Sequence, residues 1–204
     1  LRPPIPGINL SNIFTLRNIP DTKAIKQYVD SKNPCHAVVV GGGYIGLEMA
    51  ENLVERGIKV TVCELADQVM GPLDYEMAAY VHQHLKFKEV ELYLQDGVEA
   101  FEKETDQITK VILQSGKSIR TNIVIFGIGV KPEHQLAIKA GLSTGVRGGI
   151  QVNKRMQTSD PDIYAIGDAI EVTDFVNKQP SHIPLAGPAN KQGRIVANNI
   201  MGRT

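Results

Sequence analysis

His36-Ala37-Val38-Val39-Val40-Gly41-Gly42-Gly43-Tyr44-Ile45-Gly46-Leu47-Glu48, followed by Lys59-Val60-Thr61-Val62-Cys63 and then Glu64, is the stretch whose reading decides the fold. An apolar run too short for a helix meets three glycines, a helical period begins, and an acid stands 18 residues beyond Gly46. In that strand, turn, helix and strand context the spacing is a dinucleotide-binding fingerprint. Gly41 permits the tight turn out of the strand, Gly43 lets the backbone approach a pyrophosphate, and Gly46 lets the helix lie close on the sheet. Unpaired N–H groups and the macrodipole at the helix start then favour an anion without any basic side chain.

Glu64, at the carboxyl end of the second strand, is placed to accept hydrogen bonds from both hydroxyls of an adenosine ribose. A 2′-phosphate would meet its charge, and no Lys or Arg lies between Glu64 and Lys86 to compensate. NADH is therefore expected over NADPH. Ile45, Met49 and Leu53 recur along one side of the helix, Glu48, Glu51 and Glu55 mark another, and Gly57 stands where a C-terminal cap belongs.

Working outward, 204 residues suffice for one large domain or two small ones. Lys plus Arg number 22 and Asp plus Glu 22, so no global field argues for nucleic acid or an anionic membrane surface. No apolar run approaches a bilayer span and no signal-peptide pattern opens the chain, which points to a cytoplasmic protein. Leu1 is not a natural start, and the chain is expected to begin inside a longer protein. The two cysteines, Cys35 and Cys63, are too far apart for a CxxC motif, and Cys63 falls in a buried strand where a thiol acts as a small apolar group. His82 and His84 point to different sides of their helix, so neither a metal site nor a Ser-His-Asp triad has support.

The proline-rich opening, Arg2 to Gly7, reads as extended. A short strand is expected at Ile13 to Leu16, and a helix capped by Asp21 runs to about Asp30. From Val38 to Val130 the pattern predicts strand, helix, strand, helix (Asp74 to Lys86) and strand (Val90 to Leu94). A β-meander through Phe101 and Ile108 to Leu113 follows, then a return strand at Asn122 to Phe126. That strand ends in Gly127-Ile128-Gly129, where two glycines suit close ligand approach or a plain loop. After Gly148-Gly149, Ile150-Gln151-Val152 begins a new extended segment, and Asp162 to Asp168 reads as a short apolar strand ending in Gly167-Asp168. Asp168 then either projects into a ligand crevice or caps a turn. Pro188 suits the first turn of a final helix on which Ala189, Gly193 and Ala197 form a stripe of small residues, open to a flat ligand or to close packing.

Three of these motifs, in order, resemble the FAD-dependent pyridine nucleotide-disulfide oxidoreductases. Val40 to Glu48 is similar to that family's NAD fingerprint, Ile163 to Asp168 to its second FAD motif, and Pro184 to Asn190 to its flavin-facing helix start. The last is similar to the coenzyme A-disulfide reductase, NADH oxidase and NADH peroxidase branch and unlike glutathione or ferredoxin reductases. The resemblance implies an α/β architecture in which a Rossmann-like NAD domain (parallel sheet plus meander) is inserted in a partial FAD domain. Residues 1–33 would end the first FAD segment, 34–147 would form the NAD(H) domain, and 148–204 would begin the second FAD segment. It implies NADH held by Gly41, Gly43, Tyr44, Ile45, Gly46 and Glu64, and FAD held by Gly167, Asp168 and the helix opening at Pro188 and Ala189. It also implies reaction roles for Tyr44, lying against the flavin, and Glu48, near its N5.

In the intact enzyme, a homodimer in this family, hydride would pass from NADH to FAD and on to a small-molecule disulfide, sulfenate or oxygen. The family's first FAD fingerprint, reactive cysteine and pairing lysine would lie upstream of Leu1, so the chain alone is expected neither to turn over nor to retain FAD. The alternative is a stand-alone, non-catalytic NADH-binding module that reports redox state, which requires a closed apolar surface.

Overall fold

A computed structural model describes residues 3–145 and 147–203, so Leu1 and Arg2 of the opening segment lie outside the described residues. Residues divide by mutual contact into two units, one ending at Gly129 and one beginning at Val130. The segment before residue 34 joins the first unit, and the boundary placed by resemblance at residue 147 falls inside the second.

The first unit is built on five parallel strands: β1 (Ile13–Thr15), β2 (His36–Val40), β3 (Lys59–Cys63), β4 (Glu91–Tyr93) and, after a three-stranded excursion, β8 (Ile123–Phe126). Their order is β1-β8-β2-β3-β4, with Val38 opposite Thr61 on one side and Val124 on the other. The apolar runs are uninterrupted because both faces of the sheet are covered. Ala37, Val39, Val60, Val62, Ile123 and Ile125 pack with residues of three helices: α1 (Ile19–Lys32), α2 (Tyr44–Glu55) and α3 (Tyr75–Phe87). Val38, Val40, Cys63, Val124 and Phe126 pack instead with Val98, Phe101, Val111 and Leu113. These last belong to the antiparallel meander of β5 (Val98–Lys103), β6 (Thr109–Leu113) and β7 (Ser118–Thr121). The period-two alternation of each strand thus sorts its side chains between a helical layer and a meander layer.

Several local expectations shift. The opening is not extended throughout: Ile8 N–H donates to Ile5 O at 3.2 Å across Pro6 and Gly7, whose φ is +79°. Proline second and a positive-φ glycine third are what such a turn requires. Helix α1 begins before Asp21, because Asn18 is the cap and its Oδ1 accepts from Asp21 N–H at 3.0 Å. Asp21 instead accepts from Arg17 N–H at 2.9 Å, and Pro20 fits the first turn. Of the expected Ile45, Met49 and Leu53 side, helix α2 fully buries Leu53, together with Gly46 and Ala50, since small residues let it lie close on the sheet. Its end follows the pattern foreseen: Gly57 (φ +74°) donates to Val54 O at 2.8 Å and Ile58 N–H to Leu53 O at 3.1 Å, a Schellman closure.

At the amino ends of the central strands, Asn122 Oδ1 accepts from Cys35 N–H at 3.2 Å and His36 N–H at 3.1 Å. Asn122 O accepts from Tyr28 Oη at 2.9 Å and Asn12 Nδ2 at 3.0 Å. Burial of Tyr28 raises its phenol pKa.

The second unit holds α4 (Gln135–Lys139), β9 (Ile150–Gln151), β10 (Ile170–Thr173), β11 (Pro180–Ser181) and α5 (Ala186–Ile200). Strand β10 lies between β9, parallel, and β11, antiparallel, over a small core of Ala137, Ile150 and Ile170. The expected strand at 162–168 does not form. Tyr164 makes only an isolated bridge to Gln157, and a 3-10 turn follows at Gly167–Ala169, with strand pairing starting at Ile170. Gly167 has φ +72° and its N–H donates to Gln192 Oε1 at 2.7 Å, which turns the chain out of any ladder. Helix α5 opens at Ala186, two residues before Pro188, still within the turn whose N–H groups have no helical acceptor.

Candidate functional site

The strand order places a switch point between β2 and β8: beyond β2 the chain adds β3 and β4 to one side, while β8 and β1 lie on the other. Open parallel sheets bind ligands outside the carboxyl ends of strands at such a point. Here those ends carry Gly41 and Gly127. Gly127 N–H donates to Val40 O and Gly41 N–H to Cys63 O, each at 2.8 Å, so both strands break into glycine at the same level.

The glycines divide by what surrounds them. Gly41 has φ +106°, and a Cβ there would lie 2.6 Å from Gly127 O. A Cβ on Gly46 would lie 1.9 Å from Gly41 O, and one on Gly127 would lie 2.9 Å from Gly46 N. These three form one close junction between strand end and helix start. On the side where a Gly127 Cβ would point, the start of helix α2 already lies close. Gly129, at φ +93°, and Gly43 have no protein atom within 4 Å of a notional Cβ. Gly43 is half-buried and extended (φ −82°, ψ −174°), a conformation any residue adopts, so the protein itself gives no reason for glycine there. A ligand backbone laid against it gives one.

Gly43 caps α2 without a side-chain hydrogen bond, and the first turn of α2 carries no acidic residue. No side chain of the helix's own first turn opposes its positive pole; the carboxylate beside it is Glu64, bonded to Gly42 N–H. Tyr44 (48% exposed) and Glu48 are one helical turn apart, so they share an outward face.

Glu64 is half-buried, and its carboxylate reaches back to the loop. Oε2 accepts from Gly42 N–H at 2.6 Å and Oε1 from Ala66 N–H at 2.8 Å. An ionised carboxylate offers about four acceptor sites, so capacity remains for ribose hydroxyls. What the sequence did not disclose is that the acid also braces the glycine loop. Nor did it single out Gly42, whose notional Cβ would lie 2.7 Å from Val69 Cγ1 and whose carbonyl accepts from Met70 N–H at 2.8 Å.

Cys63 is 1% exposed, and burial with nearby Asp96 pushes its thiol up to about 12. A thiol so placed is inert, as its position in β3 led one to expect. Cys35 is exposed. Among the described residues no group of three metal-ligating side chains occurs.

In the second unit, Gly167 and Ala189 meet: a Cβ on Gly167 would lie 3.7 Å from Ala189 Cβ, and one on Gly193 would lie 3.6 Å from Ile166 Cδ1. The stripe of small residues on α5 is thus partly explained by packing of the 166–167 turn. Asp168 is exposed, while its carbonyl lies 2.5 Å from His182 Nε2, which marks Nε2 as the protonated nitrogen. Pro188 and Ala189 are half-buried at the start of α5. Gln192 and His182, the residues that hold this turn, were missed; an isolated Gln or His in sequence gives no sign of a distant backbone partner.

A five-stranded parallel sheet with a glycine loop at its switch point, leading into a helix, and an acid at the next strand end is the architecture of the α/β dinucleotide-binding folds. The chain belongs to the pyridine nucleotide-disulphide oxidoreductase family, which matches residues 1–193. It is 38% identical over 201 residues to an NADH oxidase of Methanocaldococcus jannaschii, covering 98% of this chain and 44% of that protein. It is 36% identical over 195 residues to the 3-phenylpropionate/cinnamic acid dioxygenase ferredoxin–NAD(+) reductase component of Photorhabdus laumondii, covering 94% and 48%. The crystal structure of reduced Bacillus anthracis CoADR-RHD superposes with a TM-score of 0.95 at 58% identity, covering 100% of this chain and 36% of that one. The chain spans less than half the length of each. Overall identity does not separate oxidase from ferredoxin reductase as sharply as the Pro184 to Asn190 segment was expected to.

Proposed function

We propose that this chain is the NADH-binding part of a flavin-dependent oxidoreductase, taking the dinucleotide along the loop Gly41–Gly46 with its phosphates at the start of α2. The observation that carries this is Gly43: it is the loop glycine that no protein contact and no positive φ explains, beside an uncapped helix pole. Glu64, held at the end of β3, would meet the adenosine ribose and oppose a 2′-phosphate. Its two backbone bonds keep the charge from swinging aside, which supports NADH over NADPH.

When both groups are bound, the nicotinamide supplies a hydride and the flavin accepts it. This chain's part is positional. Tyr44 and Glu48, exposed on one face of α2, would border the reacting ring, Tyr44 covering it until NADH enters. Gly167, Asp168 and the start of α5 at Pro188 and Ala189 would hold the flavin side, the positive helix pole favouring an anionic reduced ring. Family membership supports the flavin and nicotinamide classes, and electrons would leave to a disulfide, a sulfenate or oxygen.

A self-contained redox-sensing module would need its apolar surface closed. Ile163, Ile166, Leu185 and Ile195 are 37%, 40%, 41% and 37% exposed, and no residue of α5 is buried. That supports a chain that works as part of a larger flavin-binding unit. The test is a fluorescence titration of the chain with NADH and NADPH. Saturable binding that favours NADH is expected; no saturation with NADH, or tighter binding of NADPH, would overturn the assignment.

A further inference from the structure

Gly42 is clamped at both ends by the β3–α3 connection: its N–H by Glu64 Oε2 at 2.6 Å and its carbonyl by Met70 N–H at 2.8 Å. Val69, fully buried, fills the space beside its Cα. The placement of that connection therefore decides the placement of the glycine loop. Helix α3 holds it by a hydrogen bond, Val69 N–H donating to His82 Nε2 at 3.1 Å, beside apolar packing of Val69 with Leu85. The His82 ring is set edge-to-face against Tyr75, centroids 6.4 Å apart.

We propose that His82 is a positioning residue for the dinucleotide site, acting through Val69 and Met70 on Gly42. The inference rests on the reading of the loop as the NADH site. Only an unprotonated Nε2 can accept from Val69 N–H, so the ring is held as the neutral Nδ1–H tautomer. Loss of that acceptor leaves the N–H of a buried residue without a partner. Removing the ring's acceptor should therefore loosen the 65–70 connection and weaken NADH binding, although the effect passes only through the loop.

The experiment compares wild type, His82→Phe and His82→Gln. Phenylalanine keeps a ring against Tyr75 and removes the acceptor; glutamine supplies an amide oxygen that does not titrate. At about pH 7.5, H82F should bind NADH roughly 5–10-fold more weakly, as loss of one buried hydrogen bond implies, and H82Q within about twofold of wild type. Amide exchange at Val69, Met70 and Gly42 should accelerate in H82F with no nucleotide present. Unchanged exchange at those amides in H82F, or NADH binding by H82Q as weak as that of H82F, overturns the proposal. Normal exchange effects in a chain that never binds NADH would instead overturn the reading of the site.

Discussion

Two glycines three residues apart should separate packing from binding. In Gly46→Ala the new Cβ would stand 1.9 Å from Gly41 O and 3.4 Å from Val39 Cγ1, with Gly127 packed against the same backbone. Backbone surrounds it, so the helix or the loop must move by more than 1 Å, roughly, to restore van der Waals contact. Overpacking of this kind costs about 1–3 kcal/mol, and contact with rigid backbone places the change toward the upper end despite alanine's better helix propensity. At roughly 2–4 °C per kcal/mol, Tm should fall by about 6–10 °C. In Gly43→Val the new Cβ has no protein atom beyond its chain neighbours within 4 Å, and φ −82° with ψ −174° suits valine. The poorer helix cap costs about 1 kcal/mol at most, so Tm should fall by roughly 4 °C or less. NADH affinity should nevertheless drop more than about tenfold, a loss above ~1.4 kcal/mol, because the valine occupies the approach assigned to the pyrophosphate. Thermal melting followed by circular dichroism, with NADH titration of the same samples, measures both. G43V binding NADH like wild type would refute the ligand-facing assignment; G46A melting like wild type would refute the packing one.

Glu64→Ala should loosen Gly42 as well as remove the ribose acceptor, weakening NADH by roughly tenfold or more while narrowing the NADH over NADPH preference; a preserved preference in paired titrations would place specificity elsewhere. Asn122→Ala strips the shared acceptor of Cys35 and His36 N–H groups at the foot of β2 and should cost about 1–3 kcal/mol in denaturant melts without changing NADH affinity. Alkylation at about pH 8 should label exposed Cys35 and spare Cys63 in the folded chain, as mass spectrometry of the labelled protein would show. The Cys63 thiol, raised to about 12 when folded, keeps its proton in the native state longer than in the unfolded one. Its contribution to stability is therefore complete below the ordinary thiol range and lost as pH rises toward about 12, so wild type should lose stability more steeply than Cys63→Ala over that alkaline window.

The fold was legible where side-chain pattern alone decides it. The uninterrupted apolar run at 123–126 called for a strand covered on both faces, and the glycines after Val40 with an acid at Glu64 carried the fingerprint that the family match supports. Gly57 announced its Schellman closure for the same local reason. Where a residue's role depends on a partner distant in sequence, the chain was silent. Asp162 to Asp168 had the composition of a strand, yet Gln192, 25 residues on, draws Gly167 N–H away from any ladder. That Gly127 meets the start of α2 where a Cβ would stand, and that Gly43 meets nothing there, depended only on what stood nearby. Sequence determined which segments pair and where an anion could be held, since periodicity and backbone freedom are local properties. Tertiary structure decided which glycines are spent on packing, which way Glu64 turns, and that His82 braces the loop, because each depends on distances set only when remote segments meet.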